Sequence, residues 1–216
     1  MRRTLPLLIL FLLFGGVLFL FYRASRPPET DAPQESGSTN PLPAARAAPQ
    51  ITFLDPIRGP REAVITIVEF GDYFCEFCRS LEPVTAEVLA KYPEKVRLVW
   101  KDFPNDFLHP NASRAASAAL CAGEQNKFWE FHDLLFARAA SSLLLDFSSL
   151  AAELGLNQTA FSDCLSSERL LPRLAKNIEE AQALNLSGVP FFFINNEPFE
   201  GTTVEEFVRV IEEKLK

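Results

Sequence analysis

The sequence predicts an α/β fold: a small mixed sheet with helices on its faces and an inserted helical block, preceded by an N-terminal transmembrane helix. Three observations carry this. A β-branched run, an amphipathic stretch and a second β-branched run follow one another between Ala63 and Phe103. The middle of the chain is helical in pattern. Near the end, two short apolar runs flank Asn195-Asn196 and lead into an amphipathic helix. Strand, helix, strand implies a parallel pair.

Residues 1–22, "MRRTLPLLILFLLFGGVLFLFY", carry an uncharged apolar run from Leu5 to Tyr22. A helix crossing a bilayer needs about 20 such residues, within roughly 17–25. Arg2 and Arg3 favour a cytoplasmic N-terminus, although Arg23 and Arg26 pull the other way. A cleaved signal peptide is the alternative, but its apolar region is usually shorter and "FLFYRASR" is a poor cleavage site. The segment is therefore expected to be an uncleaved membrane anchor, and in either case the rest of the chain is exported. Residues 23–50 are rich in Pro, Ala and small polar residues without apolar periodicity, and read as an extended, disordered tether. The folded domain is expected from 51 to 216.

Within it, "AVITIVEF" (Ala63 to Phe70) reads as a buried strand between Pro60 and Gly71. The following stretch places Leu81, Val84 and Val88 on one helical face, and Pro83 should kink that helix. "KVRLVWKDF" (Lys95 to Phe103) is the second strand. Helical segments fill a block at about 105–186, with Asn or Ser at several starts and Gly123 at one stop. "VPFFFINNEPFEG" reads as a hairpin, because asparagines tolerate the positive φ of a tight turn. In "TVEEFVRVIEEKL", Val204, Phe207, Val208 and Ile211 share a face.

Composition limits function. The chain of 216 residues is 48% apolar, enough for one packed domain plus appendages. A net charge of −7 without a basic cluster argues against nucleic-acid binding. Four cysteines allow two pairs in an oxidising compartment.

Cys75 and Cys78 form a C-x-x-C just after a strand, at the start of a helix. There the unpaired N–H groups and the helix dipole favour a thiolate on Cys75, which is expected to be exposed, with Cys78 shielded one turn along. A thiolate is the attacking species in disulfide exchange. Zinc would need four ligands, yet His109 and His132 lie at ligand spacing from neither each other nor a cysteine, and Cys121 and Cys164 stand alone. Copper delivery would want methionines, and the sole methionine is Met1. No metal and no cofactor are expected.

"VEFGDYFCEFC", followed far downstream by "GVPFFFINN", resembles the thioredoxin superfamily. The resemblance implies a thioredoxin-like fold in which Val189-Pro190 is the cis-proline loop that packs against the dithiol and offers backbone hydrogen bonds to a substrate chain. The 112 residues from Cys78 to Pro190 exceed a minimal thioredoxin, and the helical block resembles the insertion of the DsbA-like branch. It further implies that Glu69 is the buried proton-transfer carboxyl beneath the dithiol, able to take the proton of Cys78. Glu82 and Lys101 resemble the polar groups around it. Both could instead be solvated surface charges.

Glu76 and Phe77, between the cysteines, are expected to face substrate together with Val189 and Pro190. Strongly oxidising DsbA proteins carry Pro-His there. Phe77 donates no strong hydrogen bond and Glu76 adds negative charge, so Cys75 should be less acidic than in those proteins. Cys121 and Cys164 are either two buried free thiols or a disulfide. An oxidising compartment favours the disulfide, and some DsbA-like proteins carry a second pair in this subdomain. Phe128, Trp129, Phe131 and Phe136 read as core, His109 and His132 as structural, and the N-x-S/T tripeptides at Asn111, Asn157 and Asn185 as chance.

The expected function is a membrane-anchored thiol–disulfide oxidoreductase that introduces disulfides into exported proteins bearing cysteines. It would sit in a bacterial inner membrane with one span, its domain in the periplasm or outside, and be recycled by a membrane redox partner. Reduction or isomerisation is one alternative. A non-catalytic chaperone or assembly module on the same scaffold is another.

Overall fold

The computed structural model describes residues 48–139 and 145–216. The expected anchor at 1–22, and the expected tether up to residue 47, lie outside the described residues. No helix among the described residues is long and apolar enough to cross a membrane.

Five strands form one sheet in the order β1-β3-β2-β4-β5. They are β1 (Ile57–Arg58), β2 (Ile65–Gly71), β3 (Val96–Asp102), β4 (Phe191–Ile194) and β5 (Glu197–Phe199). β2 and β3 are parallel, joined by α1 (Glu76–Lys91), and the other pairings are antiparallel. Between β3 and β4 come α2 (Ala112–Gly123), α3 (Phe128–Ala139), α4 (Phe147–Glu153), α5 (Gln158–Ser167) and α6 (Leu171–Ala183). The chain closes with α7 (Val204–Lys214).

β1 is absent from the sequence reading, because two residues show no alternation. It adds an edge to β3, pairing Ile57 with Val99. The β4–β5 turn is as expected: Asn195 and Asn196 take φ of 47° and 70°. α7 begins with a capping box between Thr203 and Glu206 and buries Phe207 and Ile211. Pro83 lies inside α1 without ending it. Asn157 caps α5, and Asn111 and Asn185 take positive φ, which gives all three asparagines backbone uses.

Alternation along the strands divides the core in two. Ile65, Ile67, Val96, Leu98, Phe192 and Ile194 pack with Leu81 and Val88 of α1 and Phe207 and Ile211 of α7. Val68, Phe70, Val99 and Phe193 face the other way, onto Ala181 of α6. A third cluster fills the helical block, including Phe128, Phe131 and Phe136. A disulfide between Cys121 and Cys164 joins α2 to α5 inside that cluster.

Candidate functional site: a dithiol at the tip of α1

Because β2 and β3 run parallel, their C-terminal ends meet at one edge of the sheet. Gly71 ends β2 beneath the Trp100 indole, where a Cβ would come within 2.2 Å of the ring. Asp72 follows, fully buried. Its carboxylate accepts from the backbone N–H of Phe74 at 2.8 Å and of Asn105 at 3.0 Å, and lies 2.9 Å from the His109 ring. The loop before the dithiol is thereby tied to the loop after β3, a link between residues too distant in sequence for spacing to reveal.

Cys75 is the N-cap of α1, with extended backbone, and its sulfur accepts from the Cys78 N–H at 3.4 Å. Across the gap is the cis Val189-Pro190 peptide, whose Val189 carbonyl oxygen lies 3.7 Å from the Cys75 sulfur. Both cysteines are free thiols, Cys75 half-buried and Cys78 buried. The Cys78 thiol, as a hydrogen-bond donor, together with the N–H groups of Cys78 and Phe77, lowers the Cys75 pKa to about 6 against the opposing effects of partial burial and Asp72. Burial drives Cys78 strongly the other way, reinforced by its hydrogen bond to Cys75 and the charge that forms there. One sulfur is thus poised to attack and the other holds its proton.

Glu69 lies on the α1 face of the sheet, opposite Trp100 of β3 and Phe192 of β4. It is wholly buried, and neither oxygen has a hydrogen-bond partner among the described residues. Burial, then Glu82, then Cys75 raise its pKa well above the usual carboxylate range. Burial, then Asp133, push Glu82 up to about 8, while Arg58 opposes the rise. Glu82 is therefore mainly protonated at neutral pH, and burial holds Glu69 toward its neutral form. Glu82 approaches His132 Nδ1 at 3.9 Å, and that nitrogen is 3.2 Å from Asp133. Arg58 donates to both Asp133 oxygens at 2.7 and 2.8 Å, so the cationic place in this group is filled by a guanidinium and we read no metal centre there.

Lys101 does not belong with Glu69. Its register partner is Phe70, one residue on, so it points to the opposite face of the sheet. There it is buried, 3.0 Å from Asp55, 3.0 Å from Glu180 and 2.7 Å from the Gln50 carbonyl. The expectation of a polar neighbour to the buried carboxyl fails on this one-residue step. Glu76 points outward with its side chain 90% exposed, 3.9 Å from Arg79, and does not figure among the causes of the Cys75 shift. Phe77 is exposed beside it, and Phe107 and Leu108 are exposed at the same edge of the sheet.

A thioredoxin family model matches residues 53–213. The chain belongs to the thioredoxin family. Among solved structures it is similar to oxidised BdbD from Bacillus subtilis, with a TM-score of 0.70 and 21% identity over 80% of this chain and 98% of that one. It is also similar to α-DsbA1 from Wolbachia pipientis, with a TM-score of 0.65 and 22% identity over 77% and 92%. These likenesses show a shared DsbA-like fold. A curated relative, a Na(+)/H(+) antiporter NhaA 1 of Salinispora arenicola, is 38% identical over 148 residues, 68% of this chain. The chain spans 22% of that relative's length, and antiport belongs to the longer protein.

Proposed function

We propose that this chain is a thiol–disulfide oxidoreductase that introduces disulfides into exported proteins, held at a membrane by residues 1–22. The observation that carries the reading is the Cys75 thiol, lowered to about 6 at a helix N-terminus, with Cys78 buried behind it and the Val189 carbonyl in front. In the donating direction a substrate thiolate attacks Cys75 in the oxidised enzyme. The Cys75–Cys78 bond breaks, and Cys78 departs with the electron pair and takes a proton from Glu69. A second substrate thiolate attacks the substrate sulfur of the mixed disulfide. Cys75 is released as a thiolate and the substrate keeps the new disulfide. Val189 and Pro190 would hold the substrate backbone, with Phe77 as an apolar contact beside the attacked sulfur.

A thiolate poised near 6 lies between the DsbA example of about 3.5 and the thioredoxin example of about 7. This supports a milder oxidant than those DsbA proteins. The equilibrium potential against glutathione, with refolding of a reduced and of a scrambled substrate, tests the direction. We expect a potential above roughly −200 mV and activity on the reduced substrate. A value near about −270 mV, with activity confined to breaking disulfides, would reverse the assignment to a reductase. A membrane partner that re-oxidises the dithiol belongs to this proposal, as does a location at a bacterial inner membrane with the domain outside the cytoplasm.

A further inference from the structure

Six buried side-chain atoms lack a partner among the described residues, in Glu69 (both oxygens), Tyr73, Glu82, Asp102 and His132. Buried polar atoms are normally satisfied, and a redox or proton-handling role is one reason a fold leaves them otherwise. Five of the six lie in Glu69, Tyr73, Glu82 and His132. The rings of Tyr73 and His132 are in edge contact, 5.4 Å between centroids.

His132 sits in an aromatic box. Trp100 of β3 and Trp129 of α3 lie 4.7 and 4.9 Å away, Phe136 lies 5.1 Å away, and Phe128 is farther, at 6.0 Å. The charged groups facing it are Glu82 from α1, Asp133 from α3 and Arg58 of β1 through Asp133. Asp133 is the ionised carboxylate within hydrogen-bond distance of Nδ1, so that nitrogen carries the proton and donates to it, with the Glu82 carboxyl just beyond at 3.9 Å. Burial lowers the His132 pKa to about 4 and leaves the ring neutral at working pH. Asp133 is half-exposed, so this group reaches solvent while Glu69 does not.

We propose that His132, with Asp133 and Arg58, positions and tunes Glu82 as the solvent-side proton carrier that reloads Glu69 after each exchange. This rests on the oxidoreductase reading above. The balance is simple: the departing Cys78 thiolate takes the Glu69 proton, Glu69 takes one from Glu82, and Glu82 takes one from water beside Asp133. Burial alone would keep the Glu82 carboxyl locked in its protonated form. The charge of Arg58 favours the Glu82 carboxylate, and the Nδ1 edge of His132, 3.9 Å away and bonded to Asp133, holds that group in place beside it so that the proton can leave. The charge of Asp133 works against that of Arg58. His132 is a positioning residue in this scheme, since it acts through Glu82.

The test is the pH profile of the rate at which excess dithiothreitol reduces the oxidised full-length protein, corrected for thiolate concentration, from pH 5 to 9. Ionisation of Glu82 should bend that profile downward at high pH. In His132→Phe the bend should move up by about half a pH unit, and in Asp133→Asn down by a similar amount. At pH 7 His132→Phe should slow the step by about two- to threefold, below the roughly 10²–10⁴-fold of a direct general acid. The Cys75 thiolate titration, read by absorbance, should stay put in both. A purely structural role would move the melting temperature and leave the bend alone. Equal bends in wild type and in Asp133→Asn, with the variant's fold checked by its melting curve, would overturn the proposal even if His132→Phe fails to fold. If Glu69→Gln also exchanges at the wild-type rate, the proton-handling part of the parent reading falls with it.

Discussion

On one face of the central sheet Lys101 is enclosed by Asp55 and Glu180, each at 3.0 Å. On the other face, one residue back in β3 register, Glu69 is just as deep and neither oxygen is bonded within the described residues. Burying a charge is costly in both places, and the fold meets the cost differently. Behind the sheet, Lys101 bridges two carboxylates and fastens the entering segment at Gln50 to α6. Beneath the dithiol no countercharge is bonded to the carboxyl, so it keeps its proton and is available as an acid. Paired buried charge serves structure, and unpaired buried acid next to a redox sulfur serves chemistry.

Removing the countercharge behind the sheet should have the largest effect. Lys101→Met leaves Asp55 and Glu180 buried without their lysine and should cost about 3–5 kcal/mol in denaturant unfolding. The Cys75 thiolate titration should not move. A loss below about 1 kcal/mol would show that this charge cluster is not structural.

The same chemical simplification on the other face should do the reverse. Glu69→Gln keeps a neutral side chain where burial already favours the neutral carboxyl, so stability should hold or rise slightly. Exchange rate at pH 7 should fall by about 10²-fold. A destabilised protein with an unchanged rate would make Glu69 the structural residue and break the comparison.

A smaller effect follows from pH. Glu82 is raised to about 8 and Glu69 also lies well above an ordinary value near 4.3, so between those limits the folded state binds more protons than the unfolded. Stability of the reduced protein should therefore fall as pH rises from about 4.5, by no more than about 1.4 kcal/mol per pH unit for each proton. Cys75 acts oppositely. Its lowered pKa of about 6 adds stability as pH rises from there toward the free thiol value. The net loss should be steepest below pH 6, and unfolding titrations of Glu69→Gln with Glu82→Gln should flatten it.

The smallest effect is expected at the residue the sequence made most prominent. Glu76→Gln should change the Cys75 pKa by less than about half a unit, because the side chain is 90% exposed and screened by solvent.

The βαβ order, the hairpin at Asn195-Asn196 and the closing helix were legible because each is written in local periodicity or turn chemistry. So were Cys75 and Cys78, whose chemistry depends on three residues of spacing and a helix start. Lys101 was misplaced because a strand alternates faces at every residue, and its neighbours Trp100 and Asp102 gave no sign of which face held the dithiol. The joining of Glu82 to His132, and of Asp72 to His109, links residues 50 and 37 positions apart, and only the packing of α3 on α1 or of one loop on another creates them. β1 escaped because its partner, β3, and not its own sequence makes it a strand.

Trapping the mixed disulfide tests the central claim most directly. Cys78→Ser, incubated with a reduced substrate and a mild oxidant, should accumulate one covalent adduct at Cys75 that dithiothreitol releases, while Cys75→Ser should form none. An adduct of equal yield on Cys78 in Cys75→Ser, or no adduct in either variant, would contradict the account.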